Sequence, residues 1–317
     1  MKKREVKRIV MTGPTGAVGM AIIKECIKQG ISMLLITRKD SARNDRIPGS
    51  KYISILYADI TEYDGIDVAE DTEGSFDAFI HLAWAGTIGD GRNDMELQSD
   101  NIKYTLSAVR LAKRLGCRVF LGAGSQAEYG RVEGYLNSKT PAFPENGYGM
   151  AKLCAGHMSR GLCEQLEIEH MWIRILSIYG PCDGEKTLIS TAIKGFLKEE
   201  EVSFTAGEQK WDYLFSEDAA VMIIDLLEKG NHGKTYCLGS GKERSLREYI
   251  RDIHHEIRKM EVKDDEMGIG HLPYNDKQVM FLCADTKELQ TDIGALRLTP
   301  FKEGIRKTIE WYKQEGI

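Results

Sequence analysis

The sequence predicts an α/β fold, a doubly wound parallel sheet with a smaller C-terminal substrate-binding domain. Three observations predict it. Short apolar runs alternate with longer amphipathic stretches through the first half of the chain. Strands separated by helices need crossover connections, and those make a parallel sheet. A glycine-rich turn stands between the first apolar run and the first helix. Beyond Gly180-Pro181 the alternation loosens, as expected where a second, less regular domain begins. At 317 residues the chain exceeds the ~250–300 at which one core stops growing, so one large or two closely joined domains are expected.

The elements follow in order. Arg8 to Thr12 reads as a buried strand and Ala17 to Gln29 as a helix, with Gly30 just past its end. Met33 to Thr37, Tyr52 to Tyr57 and Phe76 to Leu82 read as the next three strands. A helix is expected from near Asn101 to Leu115, a fifth strand over Arg118 to Leu121, a helix from Tyr148 to Leu166 and a strand from Glu169 to Leu176. Later pieces are helices Ile189 to Lys198, Asp218 to Glu228 and Ser245 to Lys259, with a strand at Thr235 to Leu238. Lys263 to Asp276 is polar and reads as loop. The boundary is placed so that residues 1–178 form the first domain and 179–317 the second, some segments interleaved. The cleft between them is the natural substrate site.

Composition excludes several classes. With 43 basic and 48 acidic residues the net charge is -5, which gives no support for a nucleic-acid-binding surface. No run approaches the ~20 apolar residues that span a bilayer. The basic start, Met1 to Arg8, leads into a strand and a glycine loop rather than a signal-peptide core. Seven scattered cysteines without a C-x-x-C pair suggest reduced thiols in a cytoplasmic protein and argue against a metal site.

Thr12-Gly13-Pro14-Thr15-Gly16-Ala17-Val18-Gly19 has the form T-G-x-x-G-x-x-G between strand and helix. Glycines let the backbone turn tightly and approach a pyrophosphate, while the helix N-terminus supplies N–H donors and a positive dipole end. This is the arrangement of a Rossmann-type domain, with Gly13, Thr15, Gly16, Ala17, Val18 and Gly19 as cofactor-binding residues. An acidic residue at the end of the second strand would bind the ribose hydroxyls of NAD. Thr37-Arg38-Lys39 stands there instead. Arg38 can pair with a 2′-phosphate, which favours NADP over NAD; otherwise Arg38 and Lys39 are solvated loop charges.

Tyr148 and Lys152 form Y-x-x-x-K near a helix start, and the i to i+4 spacing puts both on one helical face. An ammonium beside a phenol lowers its pKa. A tyrosine tuned so can exchange a proton with a sugar hydroxyl or carbonyl while hydride moves. Ser125, just after the fifth strand, reads either as a hydroxyl for the reacting oxygen beside Tyr148 or as an ordinary turn serine.

These motifs resemble the extended short-chain dehydrogenase/reductase family, the NAD-dependent epimerase/dehydratase group, over nearly the whole chain. The likeness adds Asp59-Ile60, His81-Leu82-Ala83, Asn101, Tyr129-Gly130, Arg174, Tyr179-Gly180-Pro181, Asp212-Tyr213 and Glu217-Asp218-Ala219-Ala220. It implies a catalytic group of Ser125, Tyr148 and Lys152, the last two also touching the cofactor. It implies that Asp59 and Ile60 contact adenine, that Leu82, Ala83 and Trp84 line the ribose and nicotinamide side, and that Asn101 belongs to the cofactor site. Gln126, Arg174, Tyr179, Lys210 and Trp211 are assigned to the substrate, a nucleotide-linked sugar. A homodimer formed through the helices after Asn101 and from Tyr148 is also implied.

The departures narrow the chemistry. Dehydratases of the family carry Asp-Glu after the residue matching Ser125, whereas Gln126 and Ala127 stand here, neither able to do acid–base work. A cysteine, where Ala127 stands, marks the 3,5-epimerase/reductase type. Both activities are disfavoured. Trp211 replaces an arginine that holds the diphosphate in many members, so it either stacks on a base or sugar ring or packs in the core. The expectation is hydride transfer at a ring carbon, C4, by a 4-epimerase or a 4-keto-sugar reductase. The rival of another class is a non-catalytic NAD(P)-binding sensor or assembly protein.

Overall fold

The computed structural model describes residues 3–67 and 76–317; Met1 and Lys2 of the basic start lie outside them. In chain order the strands and helices of the first half are β1 (Arg8–Thr12), α1 (Ala17–Gln29), β2 (Ser32–Thr37), β3 (Ile53–Tyr57), β4 (Ala78–His81), α2 (Met95–Arg114), β5 (Val119–Ser125), α3 (Gly147–Gln165) and β6 (Glu169–Ile175). There follow β7 (Ser177–Tyr179), α4 (Leu188–Lys198), β8 (Lys210–Trp211), β9 (Tyr213–Phe215), α5 (Ser216–Lys229), β10 (Lys234–Leu238) and β11 (Arg244–Ser245). The last elements are α6 (Leu246–Arg258), β12 (Phe281–Leu282), α7 (Lys287–Ile293) and α8 (Phe301–Gln314).

Seven strands form one sheet in the order β10-β6-β5-β4-β1-β2-β3, and every neighbouring pair is parallel. Side chains alternate across each strand. Ile9 and Met11 join the cluster under α1 and α5, while Val10 between them joins the cluster under α2 and α3. Both sheet faces are therefore covered, which is why the strands read as unbroken apolar runs. The order reverses between β4 and β1, so the carboxyl ends of those strands open a crevice at the switch point. A third cluster, from Tyr179, Ile193, Phe215, Ile250 and Ile305 among others, joins α4, α6 and α8.

Two boundaries move from expectation with consequences for the site. The helix expected near Asn101 begins at Met95, because Asp94 caps it by accepting a hydrogen bond from the Leu97 N–H at 3.1 Å. Strand β5 runs on to Ser125. Gly122 and Gly124 on that added stretch serve packing: a Cβ on them would come within 2.3 Å and 2.2 Å, respectively, of the Trp172 ring.

Two histidines are buried neutral. His81 bonds Thr12 Oγ1 at 2.8 Å, and His170 bonds Ser159 Oγ at 3.0 Å between the Phe120 and Trp172 rings. Burial pushes both imidazoles down to about 3. The unfolded chain takes up these protons near the ordinary histidine value and the folded chain does not. Stability is therefore present above that value and falls with acidification towards about 3. Each histidine contributes a slope of about 1.4 kcal/mol per pH unit. Urea unfolding of His170→Asn across this window is expected to show a slope shallower by that amount; an unchanged slope contradicts it.

Candidate active site

The sheet's switch point carries the glycine turn. Gly13 has φ 67, the left-handed region, and a Cβ there would stand 2.7 Å from the Ala83 nitrogen. A Cβ on Gly19 would meet the Pro14 carbonyl oxygen at 2.4 Å, so the turn folds tightly onto α1. Gly16 is different. It is the N-cap of α1, has no side-chain cap bond, and is followed by no acidic residue in the first turn. A Cβ built on it meets nothing within 4 Å. The N-terminus of α1 is thus uncapped and open at Gly16, which fits a dinucleotide pyrophosphate. Gly16→Val is expected to leave the melting temperature unchanged while weakening NAD binding at least tenfold by calorimetry. Equal affinity contradicts the cradle.

Around the turn, the expected cofactor residues separate into two groups. Leu82, Ala83 and Trp84 follow β4 at the crevice, where the Ala83 N–H reaches Thr12 Oγ1 at 3.4 Å. Asp59 and Ile60 follow β3; Asp59 caps a short 3₁₀ helix by accepting from the Thr61 N–H at 3.1 Å. Arg38 and Lys39 are exposed after β2, their carbonyls held by the Asn44 amide at 2.8 and 3.3 Å. Asn101 departs from expectation. It is fully buried, accepts from the Ala85 N–H at 2.9 Å and donates to the Ala85 and Leu97 carbonyls at 3.0 Å each. Its amide fixes the β4–α2 turn.

Ser125, Tyr148 and Lys152 come together at the end of β5. Asn146 caps α3 through the Gly149 N–H at 2.8 Å and sets Tyr148 in its first turn. Burial raises the Tyr148 phenol, and the nearby Ser125 hydroxyl works against that rise. Lys152 donates to the Ala123 carbonyl at 2.6 Å and stands 3.6 Å from the centre of the Trp84 ring. Burial dominates both titrations: it raises the phenol above its ordinary value and brings the ammonium down to about 7.

The expected pairing of Lys152 with the phenol needs correction. Lys152 lies 5.8 Å from the Tyr148 ring centre and is spent on Ala123. The cation that lowers the phenol's pKa is Arg92, whose guanidinium carbon is 4.2 Å above the Tyr148 ring. Arg92 ends the 3₁₀ turn Gly89–Arg92 and donates to the Thr87 carbonyl at 3.0 Å. Gln98 ties that turn to α2 through the Gly86 and Gly91 carbonyls at 2.9 and 2.7 Å. Nothing in the sequence spacing signals Arg92.

Beyond β6 a cleft of ≈590 Å³ opens, lined by Ser177, Lys186, Phe204, Gln209, Trp211 and Tyr213 among others. Trp211 lines this cleft and also packs against the core cluster of Tyr129, Leu176 and Leu282, and its indole N–H donates to Ser177 Oγ at 2.7 Å. Lys210, beside it on β8, is exposed. Gln126 is half-buried next to Ser125. Two residues assigned to substrate are instead internal. Arg174 is buried and ion-paired with Glu128 at 2.6 Å. Tyr179 is buried among Phe215, Tyr213 and Phe301. Among the described residues no helix is long and apolar enough to cross a membrane, and no group of three or more His, Cys, Asp or Glu is placed to hold a metal.

A glycine turn at a helix N-terminus on a parallel sheet, with Ser, Tyr and Lys gathered at the end of β5, defines a protein of the extended short-chain dehydrogenase/reductase class. The chain belongs to the NAD dependent epimerase/dehydratase family, whose pattern matches residues 9–239. It is similar to dTDP-glucose 4,6-dehydratase of Neisseria gonorrhoeae, 24% identical over 98% of this chain and 97% of that one. It is also similar to ADP-L-glycero-D-manno-heptose-6-epimerase of Pseudomonas paraeruginosa, 25% identical over 79% and 78%. Its fold is that of UDP-glucuronic acid 4-epimerase from Bacillus cereus in complex with NAD, with a TM-score of 0.82, 18% identity and coverage of 97% and 99%. The cofactor named in these comparisons is NAD, so the preference for NADP read from Arg38 finds no support in them.

Proposed function

We propose that this chain is a 4-epimerase of a nucleotide-linked sugar that retains NAD. The observation that carries the reading is the Ser125–Tyr148–Lys152 group at the end of β5, with Gln126 and Ala127 where an eliminating acid–base pair would stand. The relatives' names supply the substrate class. NAD, when bound, supplies a two-electron hydride acceptor. Gly13, Gly16 and the first N–H groups of α1 would hold its pyrophosphate, and Leu82, Ala83 and Trp84 would flank its ribose and nicotinamide end.

The residues divide the remaining work. Tyr148 takes the proton from the C4 hydroxyl as the ring carbon is oxidised and returns it when the carbon is reduced from the other face. Its buried phenol resists ionising, and the Arg92 guanidinium and the Ser125 hydroxyl offset that resistance. Ser125 orients the reacting oxygen. Lys152, anchored on Ala123, holds the ribose hydroxyls within reach of Trp84. Trp211 forms an aromatic wall for the base or sugar in the cleft beyond β6, and the exposed Lys210 precedes it on β8. We place the protein in the cytoplasm, consistent with seven free cysteines, as a homodimer through α2 and α3.

The test is mass spectrometry of ligands released from purified protein, with a panel of UDP-, dTDP- and ADP-sugars assayed for C4 inversion. Release of NAD and inversion without net NADH are expected. An empty site that fills with NADPH and consumes it on a 4-keto sugar would replace the epimerase by a reductase, the reading that Arg38 favours. No turnover and no dinucleotide binding would overturn both.

A further inference from the structure

The Arg92 guanidinium lies over the Tyr148 ring, its carbon 4.2 Å from the ring centre. A contact of this kind uses none of its N–H groups. A guanidinium carries five N–H donors and no acceptor. Nη1 donates to the Thr87 carbonyl at 3.0 Å. Among the described residues that is the only hydrogen bond Arg92 donates from its side chain, and no carboxylate is ion-paired with it. The Nε and Nη2 edge, the fork that grips a carboxylate through two parallel bonds, is thus without a partner among the described residues.

The other cations at the end of β5 are matched. Lys152 donates to the Ala123 carbonyl at 2.6 Å, and Arg174 is ion-paired with Glu128 at 2.6 Å. The acids nearest Arg92 in the chain do not serve it. Asp94 caps α2 through the Leu97 N–H, and Asp90 is exposed. The turn that carries Arg92 is held on two sides. Buried Gln98 donates to the Gly86 and Gly91 carbonyls and accepts from the Trp84 indole N–H at 2.9 Å. Against α3, a Cβ on Gly147 would stand 3.2 Å from the Arg92 carbonyl oxygen. A half-buried charge fixed in place without a counter-ion is unfavourable, and an incoming anion relieves it.

We propose that Arg92 determines specificity by gripping a carboxylate on the reacting sugar, which is then a nucleotide-linked hexuronic acid. The position on the sugar rests on the proposed function, in which the Tyr148 phenol serves the C4 oxygen. C4 of a hexopyranose adjoins C5, and C5 carries the exocyclic C6, a carboxylate in a uronic acid. The diphosphate is joined to C1, across the ring from C4. An anion held over the Tyr148 ring is therefore the C6 carboxylate rather than the diphosphate. A neutral sugar offers a hydroxyl or a methyl group there and leaves the fork unmet.

The experiment is calorimetry on the full chain loaded with NAD and carrying Tyr148→Phe, which keeps the ring under the guanidinium and removes the oxygen that turnover needs. The probes are UDP-glucuronic acid and UDP-glucose, which share nucleotide and ring and differ at C6. The acid is expected to bind at least about tenfold more tightly, as a charge-assisted pair provides. Arg92→Gln in the same background is expected to bring the ratio close to one. Arg92→Lys, which keeps the charge but not the fork, should leave an intermediate ratio. Equal affinities, or binding of neither probe, overturn the proposal. So does a folded Arg92→Gln that keeps the preference, or one that loses NAD instead, which would assign the guanidinium to the cofactor. Should Arg92→Gln not fold, an undiminished preference in Arg92→Lys overturns the proposal equally. Failure of the epimerase reading is distinct from these outcomes. A wild type that prefers the acid without inverting C4 loses that reading and keeps this one; inversion of UDP-glucose with no preference for the acid does the reverse.

Discussion

Tyr148→Phe is expected to lower turnover of any sugar nucleotide the wild type accepts by about 10²–10⁴-fold, the usual contribution of a positioned proton-transfer group. The substitution removes one oxygen from a ring that is otherwise held by packing. Trp84 meets the Tyr148 ring edge-on at 6.1 Å, and Arg92 covers its face. The fold and the glycine turn are untouched, so NAD affinity and melting temperature should stay near the wild type. Loss of activity with retained cofactor binding separates proton transfer from binding. Retained turnover would remove Tyr148 from the chemistry, and lost binding would mean the effect lay in the fold.

Arg174→Leu carries the largest expected loss of stability, about 3–5 kcal/mol, because it strands the Glu128 carboxylate in the interior. The Arg174 guanidinium also packs over the Tyr129 ring at 4.4 Å, so packing is lost with the charge. Urea unfolding measures the loss. A residue that instead touched substrate would leave stability intact and raise KM. That outcome would restore the substrate role the sequence suggested for Arg174 and refute the internal one.

What the sequence conveys follows from how locally each feature is determined. The β1 turn into α1 is legible because strand, glycines and helix lie within one short stretch, and Gly13 and Gly19 each have a steric reason to be glycine. Tyr148 and Lys152 are legible because one helical turn fixes their relation. The end of β5 is less legible: the apolar run stops at Leu121, while Gly122 and Gly124 continue the strand where Trp172 occupies the space above them. Helix α8 has Ile305, Ile309 and Tyr312 at helical spacing on its buried face, a signal available but weak between polar neighbours. The Arg92–Tyr148 and Glu128–Arg174 contacts join residues far apart in the chain. No local pattern encodes them, and they carry much of the site's electrostatics.

In the proposed complex the Tyr148 hydroxyl faces a nicotinamide whose pyrophosphate rests on the N-terminus of α1. A crystal structure of the full chain with NAD tests it most directly. The pyrophosphate is expected against Gly13 and Gly16, the nicotinamide between Trp84 and the end of β5, and the phenol oxygen pointing at it. NAD bound elsewhere, or a phenol turned away from the nicotinamide, would contradict it.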